Sequence, residues 1–249
     1  LYCENQSSMV NCQQQEQYQI IGDAVFYLMK QRQISKQKQL AAMKALEVFS
    51  FYIHKHHQKQ FVKCTEVYAK SIATFLRLKD LNAETEYLEN AQELEECWDS
   101  LSFFIKLSSN NYRFLHLQIQ EYFASKYLLG RIEQTFQSTL NQAASRAGIF
   151  SSTSSLHTKL LHQEWSVLLD ARIRGAWFFE VLSLVIQLCE STQVLQALFK
   201  FLLQCTNQFQ LSSLLHDANQ APYNGIEICR RIAVKLKDQS LLQQIIEYN

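Results

Sequence analysis

One proline and five glycines in 249 residues leave this chain short of the residues that reverse a backbone sharply. Sandwiches and barrels need such residues at every turn, so their scarcity argues against both. It also excludes a phosphate-cradling loop: no G-x-x-x-x-G-K-[ST] occurs, and the glycines are scattered. An excess of one charge is missing too. The formal net charge is +1, which gives no electrostatic case for nucleic acid or an anionic membrane surface as partner. No apolar run is long enough to cross a bilayer. The most apolar one, Ala176 to Cys189 (AWFFEVLSLVIQLC), carries Glu180 and Gln187 and predicts a buried helix.

Cysteine is present without a pattern. Cys3, Cys12, Cys64, Cys97, Cys189, Cys205 and Cys229 are odd in number and widely spaced, with no C-x-x-C. Reduced thiols in a cytoplasmic protein are the expectation, several of them acting as small hydrophobes on helix faces. No signal peptide opens the sequence, and its start at Leu1 leaves room for a longer parent chain.

What is there reads as helix. The composition, 47% hydrophobic and 19% charged, is globular, and the length suits one large domain or two small ones. Gln, with 29 residues spread along the chain, reads as polar filler on helix surfaces; an aggregation-prone Gln domain is the lesser alternative. The expected fold class is mainly α: a helical and winged-helix domain with one short β-hairpin, followed by an α-helical HEAT- or armadillo-like array.

Residues 1–34 read as a helical lead-in, with Ile20, Ile21, Ala24, Val25 and Leu28 at helical spacing. Residues 35–130 form the helical and winged-helix-like domain. Ser35 can cap a helix starting at Lys36, and from Leu40 to Ile53 that helix is apolar almost all round, which predicts a central position. Helices through EVYAKSIATFLRLK and AETEYLENAQELEECWD are expected next. LSFFIKLSSNNYRFLH then gives two Phe-rich runs either side of SSNN, a hairpin signal. From Leu117 the period is helical again, with Ile119, Tyr122, Phe123 and Tyr127 in one stripe. Residues 131–155 are expected to connect the domains, with the Ser/Thr-rich SSTSSLHT at the boundary. Residues 156–249 contain amphipathic helical patterns at LLHQEWSVLLDARI, WFFEVLSLVIQLCE, TQVLQALFKFLLQC, QFQLSSLLHDA and IEICRRIAVKLKD.

Catalytic and metal patterns are thin. His54, His56 and His57 (HKHH) lack a carboxylate or thiol at ligand spacing and fit a solvated helix end better than a metal centre. No G-x-S-x-G or H-E-x-x-H occurs, and Glu95 and Glu96 lie in an acidic helix face. No enzyme activity is expected of the chain alone, nor any metal ligand or catalytic residue.

One stretch is more specific. YRFLHLQIQEYFASKYL, through Tyr112, Phe114, His116, Gln120, Glu121, Tyr122, Phe123, Ala124, Tyr127 and Leu128, resembles the signature that closes the winged-helix part of NACHT-type STAND NTPases. Ile119 stands where that signature has an aromatic, and Ser125 replaces its second Ala. The resemblance implies that His116 reaches the β-phosphate of ADP held by a NACHT nucleotide-binding domain of the same molecule. It implies ADP or ATP with Mg in a full-length parent, and no cofactor for this chain alone. The implied function is regulatory: nucleotide state is coupled to opening and assembly, with protein partners or self-oligomers. From position alone His116 also fits a core histidine bonded to a backbone carbonyl, Gln120 and Glu121 fit structural ties, and Tyr122, Phe123 and Tyr127 fit core. The alternative function is an all-α scaffold that binds protein partners without nucleotide.

Overall fold

The computed structural model describes residues 20, 27, 36–56, 61–62, 104–106, 111–146, 153–170, 173, 176–213 and 225–248. Among them the chain is mainly helical with a small antiparallel sheet. In order come α1 (Lys36–Lys55), β1 (Phe61–Val62), β2 (Phe104–Lys106), β3 (Asn111–Phe114), α2 (Leu117–Arg146) and α3 (Thr153–Leu168). A 3-10 turn, Ala176–Phe178, leads into α4 (Phe179–Leu188), followed by α5 (Thr192–Ser213), α6 (Gly225–Leu236) and α7 (Gln239–Tyr248). The chain divides into two compact units between Tyr127 and Leu128, inside α2. No described helix is long and apolar enough to cross a membrane.

In the first unit α1 is the central element its all-round apolar sequence predicts. Ala41, Ala42, Met43, Ala45, Leu46, Val48, Phe49, Phe51 and Ile53 are all buried. The hairpin also forms, β2 and β3 pairing Phe104 with Phe114 and Ile105 with Arg113. That register sets two Phe rings side by side, 4.8 Å apart, and Phe49 of α1 closes a triangle with them at 6.0 and 6.2 Å. A second triangle joins α1 to α2: Tyr127 lies 4.8 Å from Phe51 and 6.2 Å from Tyr52, which are themselves 5.5 Å apart. Such offset and edge contacts add to simple burial.

The sheet has a third strand that the sequence did not announce. β1 pairs Phe61 with Tyr112 and Val62 with Asn111, giving the order β1-β3-β2. Two residues are too few to show alternation. The helices expected through EVYAKSIATFLRLK and AETEYLENAQELEECWD lie outside the described residues. Of the lead-in, Ile20 and Tyr27 are helical, and both are exposed, Ile20 by 63%.

Among the described residues the expected links differ from the structure. α2 does not end near Gly130 but runs on to Arg146, so most of the expected connecting segment is helix. Gly130 is exposed and a Cβ there would meet nothing, so it is no close-approach site. Its helix penalty of about 1 kcal/mol is outweighed by the buried Leu128, Ile132, Phe136 and Ala143 on one side of the helix. The Ser/Thr-rich link is helical from Thr153; Thr158 Oγ1 donates to Ser154 O at 2.9 Å, a local bond compatible with helix. Likewise the first part of QFQLSSLLHDA belongs to α5, which runs unbroken to Ser213 with neither Gly nor Pro to stop it, and the rest lies outside the described residues.

In the second unit α4 is buried from Val181 to Ile186, as its apolar run predicts. Trp165 of α3, fully buried, lies 6.5 Å from Phe136 and 5.8 Å from Phe201 of α5. α6 packs Ile228, Cys229, Ile232 and Ala233 inward, and α7 packs Leu241 and Ile245. Between them lies a two-residue link. Lys237 takes φ 53°, its N–H donates to Val234 O at 3.1 Å, and the Asp238 N–H donates to Ala233 O at 3.2 Å. This pair of bonds is the Schellman ending of a helix. Asp238 Oδ1 then accepts from the Ser240 N–H at 2.9 Å and caps α7.

Candidate functional site

The site begins where β3 hands the chain to α2. Phe114 is buried in the ring triangle, and Ile119 is buried one turn into the helix. Between these anchors Leu115, His116, Leu117 and Gln118 are all exposed. His116 O accepts the Ile119 N–H at 3.2 Å, so His116 stands at the cap position of α2. The first N–H groups of a helix lack intrahelical acceptors, and the helix dipole makes that end positive. An imidazole and a helix N-terminus are therefore presented together to solvent.

The core reading of His116 fails on this exposure. The strand ends at Phe114, which takes the buried place, and His116 lies beyond it in the exposed junction before α2. The other signature residues divide as expected of a packed helix: Gln120, Glu121, Tyr122, Phe123, Ala124 and Leu128 are buried, and Tyr127 is half-buried within its ring triangle. Ser125 is buried and donates to Tyr122 O at 2.7 Å. Gln120 is only 2% exposed, yet its Nε2 makes no hydrogen bond among the described residues. As a structural tie it therefore acts by packing and not through its amide nitrogen. Tyr112 contributes its backbone to both ladders of the sheet.

Sequence reasoning missed the polar stripe of α1. Glu47, Ser50 and His54, at i, i+3 and i+7, share one helix face and are all buried. The Glu47 carboxylate accepts from Lys44 Nζ at 2.7 Å and is also attracted by Lys126 of α2. Burial outweighs both and pushes the Glu47 carboxyl above its ordinary 4.5. A raised folded value means the native state holds this proton longer than the unfolded chain. Stability from Glu47 is thus full below pH 4.5 and declines as pH rises through the folded value. Glu47→Gln is expected to melt higher than wild type at pH 7, with the difference closing towards pH 4. Thermal melts followed by circular dichroism across that range check it; a lower melting point at pH 7 contradicts it.

The HKHH motif does not assemble. His54 is buried in the last turn of α1, His56 is exposed just past it, and His57 lies outside the described residues. Among the described residues no group of three or more His, Cys, Asp or Glu side chains is placed to hold a metal ion.

Leu115 and Leu117, exposed by 45% and 44%, also escaped the sequence reading. In the sequence they continue the apolar run of strand and helix, and only the exposed junction shows that they flank His116 in solvent. No protein-family profile, curated protein or solved structure matched this chain.

Proposed function

We propose that this chain is the regulatory C-terminal part of a NACHT-like signalling NTPase acting in the cytoplasm. His116 reads the phosphate of a nucleotide held by an upstream nucleotide-binding domain, and the helices after α2 serve as sensor or spacer. The supporting observation is the exposure of His116 at the start of a 30-residue helix. Ring and helix N-terminus favour the same negative charge there.

An imidazolium–phosphate bond is charge-assisted and contributes roughly 1.5–3 kcal/mol. That is enough to shift a closed–open equilibrium about tenfold or more. The wing and the helix are fixed to α1 by their two ring triangles, so loss of the phosphate contact releases a preformed surface. The work is conformational and the chain alone turns over no ATP.

In the parent molecule His116→Ala is expected to speed ADP release by about ten- to a hundredfold, in line with the loss of that bond. It should also move the population towards the open, oligomeric form. Stopped-flow release of a fluorescent ADP and sedimentation velocity measure the two effects. Unchanged release with unchanged oligomer size sinks the role, and steady ATP hydrolysis by the purified chain sinks the wider reading.

A further inference from the structure

A groove of about 570 Å³ lies on the second unit, lined by Ser155, Thr158, Lys159, His162 and Gln163 of α3 and by Gln204 of α5. The five α3 residues fall at i, i+3, i+4, i+7 and i+8, a single helix face. The opposite side of α3 carries the buried Leu161 and Trp165, which fix it against its neighbours. Among the described residues every lining side chain is polar and none is acidic. Glu164, the carboxylate of α3, does not take part. Lys200, exposed one turn before Gln204 on α5, adds a second ammonium to the same side of that helix.

We propose that this groove binds a phosphate-bearing ligand, independently of any role for His116. The donors can be assigned. Thr158 commits its hydroxyl proton to Ser154 O, which leaves Lys159, His162, Gln163 and Gln204 to face the ligand. His162 is half-buried and its ring lies 5.2 Å from Phe201, so its position is fixed by packing. Ser166 Oγ donates to His162 O at 2.7 Å, and its lone pairs face Nδ1 of the same histidine at 3.5 Å. Nδ1–H is thereby the favoured donor to Ser166, and Nε2 is the nitrogen left for a ligand. With Nε2 protonated as well, the ring donates to a phosphate seated beside it. One ammonium, one imidazole and two carboxamides, with no carboxylate among the described lining residues, suit a phosphate monoester. The volume exceeds what a phosphate alone fills, so there is room for the group that carries it.

Two arms test the proposal by NMR on the full chain, one titrating inorganic phosphate and the other an O-phosphoserine tetrapeptide. The His162 ring resonance is identified among the seven histidines by its loss in His162→Asn. A saturable shift of that resonance is expected in at least one arm, and Lys159→Met should weaken the binding about tenfold or more. Lys159 and Gln204 are both exposed, so Lys159→Met and a second variant, Gln204→Ala, keep native circular dichroism while binding weakens. Saturation by the phosphopeptide alone assigns a phosphorylated protein partner; saturation by inorganic phosphate assigns a free phosphate compound. No saturable shift in either arm, equal shifts at every histidine, or undiminished binding by Lys159→Met overturns the site.

Discussion

Phe49→Ala is expected to destabilise the first unit by about 3–5 kcal/mol, the range for emptying a large aromatic site in a core. Phe49 is fully buried, and its ring meets both Phe104 of β2 and Phe114 of β3. The substitution therefore leaves a cavity and removes the contacts that hold two strands to α1. Partial collapse of the hairpin can lower the cost, but the lost ring pairs remain. Urea unfolding gives the total, and hydrogen exchange at the β3 amides reports whether the wing opens first. Phe49→Leu, which keeps much of the volume, should lose clearly less. A loss under about 1 kcal/mol for the alanine variant contradicts the role assigned to this ring. Phe114 lies two residues before His116, so the same variant should also broaden the His116 ring resonance.

Lys235→Met is expected to cost the second unit about 1–3 kcal/mol. Lys235 Nζ donates to Ile186 O at 2.6 Å, to Gln187 O at 2.7 Å and to Cys189 O at 2.7 Å. These carbonyls belong to the end of α4 and the residues around it, where backbone acceptors lack helical donors and the dipole is negative. An ammonium has three N–H donors, and here each finds a carbonyl. Methionine retains the apolar stem of the side chain and removes all three donors, so the loss measures the charge and its hydrogen bonds. Lys237→Met is the control, since Lys237 is exposed and makes no such contact. Thermal unfolding compares the three proteins, and equal melting points for Lys235→Met and wild type refute the clamp. The start of α4 is held as well: the Arg231 guanidinium lies 4.6 Å from the centre of the Phe179 ring. Arg230 and Arg231 both donate to Glu227, which holds that carboxyl below its usual value, with Arg230 the larger cause.

Long elements were legible where local chemistry and burial agree. The start of α1 follows a serine cap signal, its end lies at His-rich polar residues, and its apolar circumference foretold its central place. The β2–β3 hairpin was legible because Asn and Ser stand between two aromatic runs. The expected connecting segment from residue 131 is helix as far as Arg146, since the packing of a long helix overrides the local penalty of Gly130 in open space. At the site, His116 could be placed at a strand–helix junction but not on a face, because a one-residue change of register reverses inside and outside. Glu47, Ser50 and His54 are polar residues on an otherwise apolar helix, and only tertiary packing over their face reveals all three as interior.

The link between α6 and α7 has a mechanical consequence. A non-glycine residue in the left-handed region, two Schellman bonds and an aspartate cap leave Lys237 and Asp238 with little torsional freedom. The two last helices therefore turn as one elbow without a hinge. Torque applied to α7 passes directly into α6, and through Lys235 and Arg231 it reaches both ends of α4. A protein that grips α7 would thus have a stiff lever on α4, whose middle from Val181 to Ile186 is buried.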